Sequence, residues 1–166
     1  AERLGYSAAL DAATGLEPQA EEVGRRLAKL ALSMRKSLAD GSEHGPDCLI
    51  TGGEPVVKLA DAAIRGKGGR NQQLVLAALL DLLPQGLEDL VLLAGGTDGE
   101  DGPTDAAGAF VDAQVAAAAA KAGLDAVDFL RRNDAYHFFE PLEALIKTGP
   151  THTNVCDIRV VLVGRR

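Results

Sequence analysis

The chain has 166 residues, of which 46% are hydrophobic, so it can bury one substantial core of ordinary domain size. Its formal charge is −7, and aromatic residues make up only 4% of it. This composition does not fit the basic face or the stacking aromatics of a nucleic-acid-binding protein. No apolar run approaches the roughly 20 residues that cross a bilayer, and no signal-peptide pattern is present. We therefore expect a soluble, cytoplasmic protein with neither a nucleic-acid nor a membrane partner.

The first half of the chain predicts a short strand, a long helix and a pair of strands. AERLGY is typical of a helix end and SAALDAA of a strand. From Glu17 to about Leu38, apolar residues recur at helical spacing, and Pro18 suits a first helical turn. After the turn-rich ADGSEHGPD, the segments CLITGG and PVVKLA predict strands around a Gly-Gly-Glu corner.

The second half alternates helices and strands. Residues 71–83 are apolar on nearly all sides and predict a buried helix that Pro84 ends, before the central strand DLVLLAG. DAQVAAAAAKAG predicts a helix, 125–146 one or two helices interrupted near Asn133, and DIRVVLV a final strand. The fold class that we predict is α/β: a mixed, largely parallel sheet with helices on both faces, in three layers. Its strands are expected near 7–13, 48–60, 90–95 and 157–163.

The stretch GTDGEDGPTDAAGAF, residues 96–110, follows the central strand and is the first candidate for a site. It contains Asp98, Asp101 and Asp105 together with the hydroxyls of Thr97 and Thr104. Loops at the carboxyl ends of strands line the ligand crevice of open α/β sheets. Carboxylates there can hold a hard divalent cation or accept a proton from a hydroxyl. The alternative is an ordinary Asp/Gly turn.

Three further polar clusters border apolar segments. Gly66, Gly68 and Gly69 lead through Arg70 into a helix, which resembles an anion-binding helix start or, alternatively, a tight turn that carries an arginine. Asn133-Asp134 indicates a helix N-cap more than a site. TGPTHTNVCD, residues 148–157, holds many hydrogen-bonding groups, although a capped turn around a proline would also explain it. We predict that residues 96–105, 68–72 and 148–154 converge at one edge of the sheet.

The cysteines and histidines form no catalytic or metal-binding pattern. Cys48 and Cys156 are isolated, which fits reduced core thiols, and we expect no structural metal. The histidines show no triad spacing and are interpreted as surface or structural residues: His44, His137 and His152.

Four strings of the sequence carry a resemblance to a known family. GKGGRNQQLVLAAL, LLAGGTDGEDGPTDAAGAFVDA, NDAYHFF and TGPTHTNVCDIRVVLV follow one another with short connections, and LITGGEPVVKL precedes them. In this order they resemble the C-terminal domain, known as the MOFRL domain, of class II glycerate kinases. Together they cover most of residues 48–163. Proteins of this kind are often labelled hydroxypyruvate reductases.

The resemblance implies that residues 1–166 are a single MOFRL-type α/β domain, the C-terminal part of a longer two-domain enzyme whose N-terminal Rossmann-like domain is absent. That enzyme would transfer the γ-phosphate of ATP to the 2-hydroxyl of glycerate, with ATP and Mg²⁺ as cofactors and a lysine from the absent domain. The chain alone would then be inactive. Its expected partners are glycerate and the N-terminal domain, and a homodimer is compatible with this reading.

The resemblance also suggests roles for particular residues. Arg70 is the expected cation for the substrate carboxylate or the γ-phosphate, and Asp98 the expected base or Mg²⁺-linked carboxylate. Glu54 is a further polar candidate at a strand end. Asp101 and Asp105 are the second choices for the role of Asp98 or, alternatively, hold the loop in shape. The residues expected to bind substrate or phosphate, or to brace the loop, are Gly68, Gly69, Asn71, Thr97, Asp101, Asp105, Thr151, Thr153 and Asn154.

Two other functions compete with the kinase. A non-catalytic binding or oligomerisation domain would explain a chain that lacks half of the chemistry. A hydroxypyruvate reductase would need a G-x-G-x-x-G turn for its nicotinamide cofactor, and GKGGRN does not have that spacing.

Overall fold

The computed structural model describes residues 1–40 and 45–164. In this part of the chain six strands form one sheet in the order β1-β2-β6-β3-β4-β5. The strands are β1 (Ala8–Ala12), β2 (Cys48–Gly53), β3 (Leu90–Gly96), β4 (Gly108–Val111), β5 (Leu145–Ile146) and β6 (Asp157–Val163). β1 and β2 are parallel, whereas the other four pairs are antiparallel.

The helices lie close to where the sequence predicts them. They are α1 (Ala20–Ala39), α2 (Arg70–Leu82), α3 (Ala113–Lys121), α4 (Ala126–Arg131) and α5 (Ala135–Phe139), with short 3₁₀ segments at Glu2–Leu4, Leu83–Gln85 and Glu140–Leu142. Asp112 and Asp125 cap α3 and α4 by accepting hydrogen bonds from backbone N–H groups of the first turn. No helix of the described residues is long and apolar enough to span a membrane.

The prediction of an α/β fold with a mixed sheet is confirmed, but the expectation of largely parallel strands is wrong. A parallel pair needs a long crossover, and α1 provides one between β1 and β2. β3 and β4 are instead joined by a loop without a helix, so they pair antiparallel. The prediction missed β4 and β5, and PVVKLA contributes only an isolated bridge between Val56 and Gln19.

Helices α1 and α2 pack on one face of the sheet. Side chains that alternate along the central strands are buried there, among them Leu92 on β3 and Val161 on β6, which are paired in register. α1 packs on α2, and α4 and α5 also contact α2, in a core that includes these strand residues. On the opposite face Leu93 and Val160 are half-buried and Ile158 is 42% exposed. At these positions the opposite face is therefore less buried than the face that α1 and α2 cover.

The close crossing of α1 and α2 depends on Gly24. A Cβ at this position would lie 2.2 Å from the backbone oxygen of Leu74. Because that oxygen belongs to a helix backbone, it cannot move away without shifting α2. We expect Gly24→Ala to lower the free energy of unfolding by about 1–3 kcal/mol, although alanine is the better helix former. Urea denaturation would measure this, with Gly15→Ala as the control, since no atom lies within 4 Å of a Cβ there. Equal stability of the two variants would contradict the expectation.

Candidate functional site

Three loops meet where β3 and β2 end and β6 begins. Asp157, the first residue of β6, lies between Gly53 and Gly96, the last residues of β2 and β3. We call residues 97–107, between β3 and β4, the aspartate loop. It contacts the start of α2 through Asp101. It also contacts the 148–157 segment, where Thr151 N donates to Asp98 O at 3.0 Å. The predicted convergence of residues 96–105, 68–72 and 148–154 is therefore present.

Arg70 lies at this edge and is held by a buried carboxylate. Its Nε and Nη2 donate to the two carboxylate oxygens of Asp157 at 2.7 and 2.9 Å, and the Asp157 side chain has no exposed surface. Nη1 lies 3.2 Å from Glu54 Oε1. The hydrogen bonds that Arg70 donates to Asp157 raise the pKa of Arg70 above its ordinary value. The guanidinium keeps further N–H groups, and the Arg70 side chain is 32% exposed, so an anion can still reach this fixed cation.

Asp98 and Asp157 both lie beside Gly96. A Cβ at Gly96 would lie 3.7 Å from Asp157 Oδ1, which is an ordinary contact, but only 2.9 Å from Asp98 Oδ1 and 2.6 Å from the backbone oxygen of Glu100. A larger residue would therefore displace the loop that carries Asp98. Asp98 Oδ1 accepts from Glu100 N at 3.1 Å. Its Oδ2 accepts from Asn154 Nδ2 at 3.3 Å. A half-buried, oriented carboxylate and a fixed guanidinium thus share one edge of the sheet.

Asp101 fills the helix start that was expected to bind a phosphate. Its Oδ1 accepts from Asn71 N at 3.0 Å, and its Oδ2 accepts from Gln72 N at 2.9 Å. Asn71 Nδ2 adds a contact of 3.3 Å. The positive end of α2 is therefore occupied by a carboxylate of the chain itself. Of the roles expected of Asp101, these contacts support holding the loop in shape, because Asp101 joins the aspartate loop to α2. Phosphate binding by Gly68, Gly69 and Asn71 at this helix start stays a prediction.

Burial of Asp101 should make the stability of the domain depend on pH. Desolvation raises the pKa of this carboxyl to about 6. The pKa of Asp101 in the folded state lies above its value in the unfolded state. The contribution of this carboxyl to the free energy of unfolding is therefore complete below about pH 4 and is lost as the pH rises through about 6. The lost contribution is roughly 3 kcal/mol. Urea denaturation between pH 4 and 7 would measure it, and the decline specific to this group should be absent in Asp101→Asn. An identical pH dependence in both proteins would contradict the assignment.

The threonines of the site mainly join the aspartate loop to the 148–157 segment by hydrogen bonds. Thr97 Oγ1 donates to Cys156 O at 2.7 Å and accepts from Val155 N at 2.8 Å. Thr151 Oγ1 donates to Thr97 O, and Thr153 N donates to Thr151 Oγ1 at 3.4 Å. Of the two roles predicted for these residues, bracing of the aspartate loop is the one that these contacts support.

Asp105 belongs to a separate cluster on the α5 side of the aspartate loop. Tyr136 Oη donates to Asp105 Oδ1 at 2.7 Å, and Lys147 Nζ donates to Oδ2 at 2.9 Å. The bond from Lys147, followed by that from Tyr136, lowers the pKa of Asp105 to about 2. Lys67 Nζ lies 3.9 Å from the centroid of the Tyr136 ring. Sequence reasoning missed Lys67, Tyr136 and Lys147, although Lys67 lies within the glycine-rich segment that it singled out.

The remaining candidates have structural or peripheral positions. His137 Nδ1 lies 2.6 Å from Asp134 Oδ1 and His152 is exposed, as predicted, whereas His44 lies outside the described residues. Asp134 stands at the N-cap position of α5 but bonds Lys67 N instead of the helix. Cys48 is buried, but Cys156 is exposed at the site, so the interpretation of Cys156 as a core thiol is wrong.

The side chains of the candidate site do not form a metal site that consists of protein ligands only. Residues 1–40 and 45–164 contain no group of three or more His, Cys, Asp or Glu side chains that could hold a metal ion. Asp98 is a single carboxylate, which suits a Mg²⁺ ion held mostly by substrate phosphates and water.

Comparison with known proteins agrees with this architecture. A model of the MOFRL family matches residues 47–157. D-glycerate 2-kinase of Thermotoga maritima is 39% identical over 98% of this chain and 37% of its own length. A putative hydroxypyruvate reductase of Agrobacterium vitis is 38% identical over 97% of this chain and 43% of its own length. The crystal structure of glycerate kinase from T. maritima gives a TM-score of 0.86 at 39% identity, covering 98% of this chain and 37% of that one.

The chain spans only 22% to 37% of the length of the first curated relatives that it matches. The family match nevertheless extends from the residue before β2 to the first residue of β6 and includes the aspartate loop, the start of α2 and the 148–157 segment. The chain belongs to the MOFRL family.

Proposed function

We propose that residues 1–166 are the C-terminal domain of a cytoplasmic, ATP-dependent glycerate 2-kinase that also has an N-terminal Rossmann-like domain. The observation that carries this proposal is that Asp98 and the buried Asp157, which fixes Arg70, lie beside the same glycine: a Cβ at Gly96 would lie within 4 Å of a carboxylate oxygen of each. Relatives named glycerate kinase and D-glycerate 2-kinase support the choice of reaction. The free cysteines support a reducing compartment.

The two side chains match the needs of phosphoryl transfer. The reaction requires cations around the transferred group and a residue that orients or deprotonates the attacking hydroxyl. Arg70 is fixed in place and can neutralise charge on the phosphoryl group or on the substrate carboxylate. Asp98 is half-buried and has both oxygens directed by N–H donors, so it can accept the proton of the 2-hydroxyl.

This edge of the sheet supplies only some of the contacts that ATP and Mg²⁺ need, and other parts of the longer enzyme would supply the rest. A Mg²⁺ ion at Asp98 would neutralise negative charge on phosphate oxygens. We propose that the N-terminal domain supplies a catalytic lysine, so that the chain described here binds and orients substrate but does not turn it over by itself.

Asp98→Asn tests the assignment in the longer enzyme. The amide keeps the size of the side chain but can neither take a proton nor ligate a cation strongly. We expect kcat to fall about 10²-fold or more while KM changes little, because the lost effect arises during the reaction. Steady-state formation of 2-phosphoglycerate would measure both constants. Glu100→Gln is the matched control, since Glu100 is an exposed carboxylate of the same loop. Near-normal turnover in Asp98→Asn would remove this residue from the chemistry.

Hydroxypyruvate reduction is the second candidate, because one relative carries that name. It predicts oxidation of a reduced nicotinamide cofactor when hydroxypyruvate is added to the longer enzyme. Absorbance of the cofactor would show this, and turnover without any formation of phosphoglycerate would favour the reductase over the kinase.

A further inference from the structure

Lys67 carries a positive charge that no carboxylate of residues 1–40 and 45–164 neutralises. Its Nζ lies 3.9 Å from the centroid of the Tyr136 ring. Among the described residues, no ion pair within 4 Å involves this ammonium group. A cation above an aromatic face is attracted by the ring but keeps its charge for another ligand.

The backbone around Lys67 is fixed from both sides, which gives this lysine a defined position. Lys67 N donates to Asp134 Oδ1 at 2.8 Å, and Lys67 O accepts from Tyr136 N at 3.0 Å. Gly66 N donates to Arg132 O at 2.8 Å. The loop is thus anchored to α5 and to the residues before it, so little backbone entropy would be lost when an anion binds.

A second lysine contacts the same ring. Lys147 Nζ lies 5.4 Å from the ring centroid of Tyr136 and 3.2 Å from its Oη, and it pairs with Asp105 at 2.9 Å. We call Lys67, Asp105, Tyr136 and Lys147 the lysine–tyrosine cluster. Lys147 is paired with Asp105, and the side chain of Glu140 also reaches the hydroxyl of Tyr136, so Lys67 is the cation of this cluster that has no ion pair among the described residues.

The lysine–tyrosine cluster adjoins the candidate site. Asp105 belongs to the aspartate loop that also carries Asp98, and Lys67 is three residues before Arg70. A Cβ at Gly102 in the aspartate loop would lie 2.6 Å from the backbone oxygen of Gly68, so the two loops are in direct contact. The candidate site and the lysine–tyrosine cluster are therefore carried by the same two loops.

We propose that the lysine–tyrosine cluster binds a phosphate group, with Lys67 as its main electrostatic contact. The inference rests on the proposed function, in which the polyphosphate of a nucleotide and the phosphate of phosphoglycerate are the two sources of that group. Lysine is a common phosphate ligand that acts as a point charge, and the half-buried position of Lys67 limits screening by water.

The chain offers a specific optical probe for this binding. It contains no tryptophan and only two tyrosines, Tyr6 and Tyr136, so Tyr6→Phe leaves Tyr136 as the sole tyrosine. Fluorescence of this Tyr6→Phe protein would be titrated at constant ionic strength with inorganic triphosphate and, separately, with 2-phosphoglycerate. Neither compound absorbs where tyrosine does. Tighter binding of triphosphate indicates the nucleotide as the source, and tighter binding of 2-phosphoglycerate indicates the product.

Substitutions in the Tyr6→Phe background decide whether Lys67 is responsible. Lys67→Ala should weaken phosphate binding about tenfold, whereas Lys67→Arg should stay within about threefold because it keeps the charge. Lys29→Ala, an exposed lysine on α1, makes the same change in net charge and should bind like the parent protein. Thermal melts would accompany each titration. If Lys67→Ala is unfolded, Lys147→Ala replaces it and should also weaken binding.

Two results would overturn the inference: no fluorescence response to either phosphate compound, or equal affinity in Lys67→Ala and Lys29→Ala. Its failure is distinguishable from failure of the proposed function. If the longer enzyme forms 2-phosphoglycerate but Lys67→Ala binds phosphate normally, only the inference fails. If Lys67-dependent binding is found but the enzyme forms no phosphoglycerate, the inference stands and the kinase proposal fails.

Discussion

Arg70→Ala is expected to lower kcat/KM of the proposed kinase about 10²–10³-fold, which corresponds to roughly 2.7–4 kcal/mol of transition-state stabilisation. The guanidinium is fixed by two hydrogen bonds to Asp157, so it does not have to reorganise when negative charge develops. Steady-state formation of 2-phosphoglycerate by the longer enzyme would measure the loss. Arg70→Lys should recover only part of the activity, because a lysine cannot make the bidentate contact with Asp157.

The same substitution should also destabilise the domain, because it leaves the buried Asp157 carboxylate without its cation. The expected cost is about 1–3 kcal/mol. The double variant Arg70→Ala with Asp157→Asn separates the two effects: it removes the unpaired charge and should recover stability but not activity. Arg26→Ala, an exposed arginine on α1, is the control for loss of one positive charge. Recovery of turnover in the double variant would show that Arg70 acts only through stability.

Glu17→Gln should produce the largest loss of stability among the substitutions considered. Arg159 on β6 has no exposed side-chain surface, and its Nη1 and Nη2 donate to the carboxylate of Glu17 at 2.8 and 2.6 Å. Neutralising Glu17, whose side chain is 5% exposed, leaves the guanidinium charge buried without compensation. We expect the free energy of unfolding to fall by about 3–5 kcal/mol in urea denaturation.

Two further variants show whether charge is the cause. Glu22→Gln removes an exposed carboxylate at the start of α1 and should change stability by less than about 0.5 kcal/mol. Replacing both Glu17 and Arg159 by methionine should restore most of the loss, since two apolar side chains of similar volume leave no buried charge. If the methionine pair is as unstable as Glu17→Gln, packing and not charge explains the effect.

Local pattern determined most of the secondary structure and the position of the site. Helix α1 follows from apolar periodicity, α2 from a continuous apolar run that Pro84 ends, and α3 from an alanine-rich run, and their predicted bounds agree closely with those observed. The aspartate loop could be located because polar, glycine-rich residues directly follow a buried strand. The family resemblance rests on these same strings, and the match to residues 47–157 confirms it.

The direction of the strands and the presence of β4 and β5 depended on contacts between distant parts of the sequence. β4 is a four-residue strand of small and apolar residues, and β5 has two residues, so neither has enough alternation to be recognised in the sequence. Whether two strands run parallel depends on how the chain returns between them. Without β4 and β5, the antiparallel pairs β3–β4 and β4–β5 could not be predicted.

By itself, the sequence determined the α/β class, the main helices and the loops that form the site, because periodicity and turn chemistry act over a few neighbouring residues. Only the tertiary structure decided which partner each polar side chain has. Asp101 occupies the start of α2, Asp157 holds Arg70 across 87 positions, and Glu17 neutralises Arg159 across 142. Such pairs form because a buried charge needs a counter-charge, and the fold brings that partner from a distant part of the sequence. The spacing of the residues along the chain therefore does not predict the pairing.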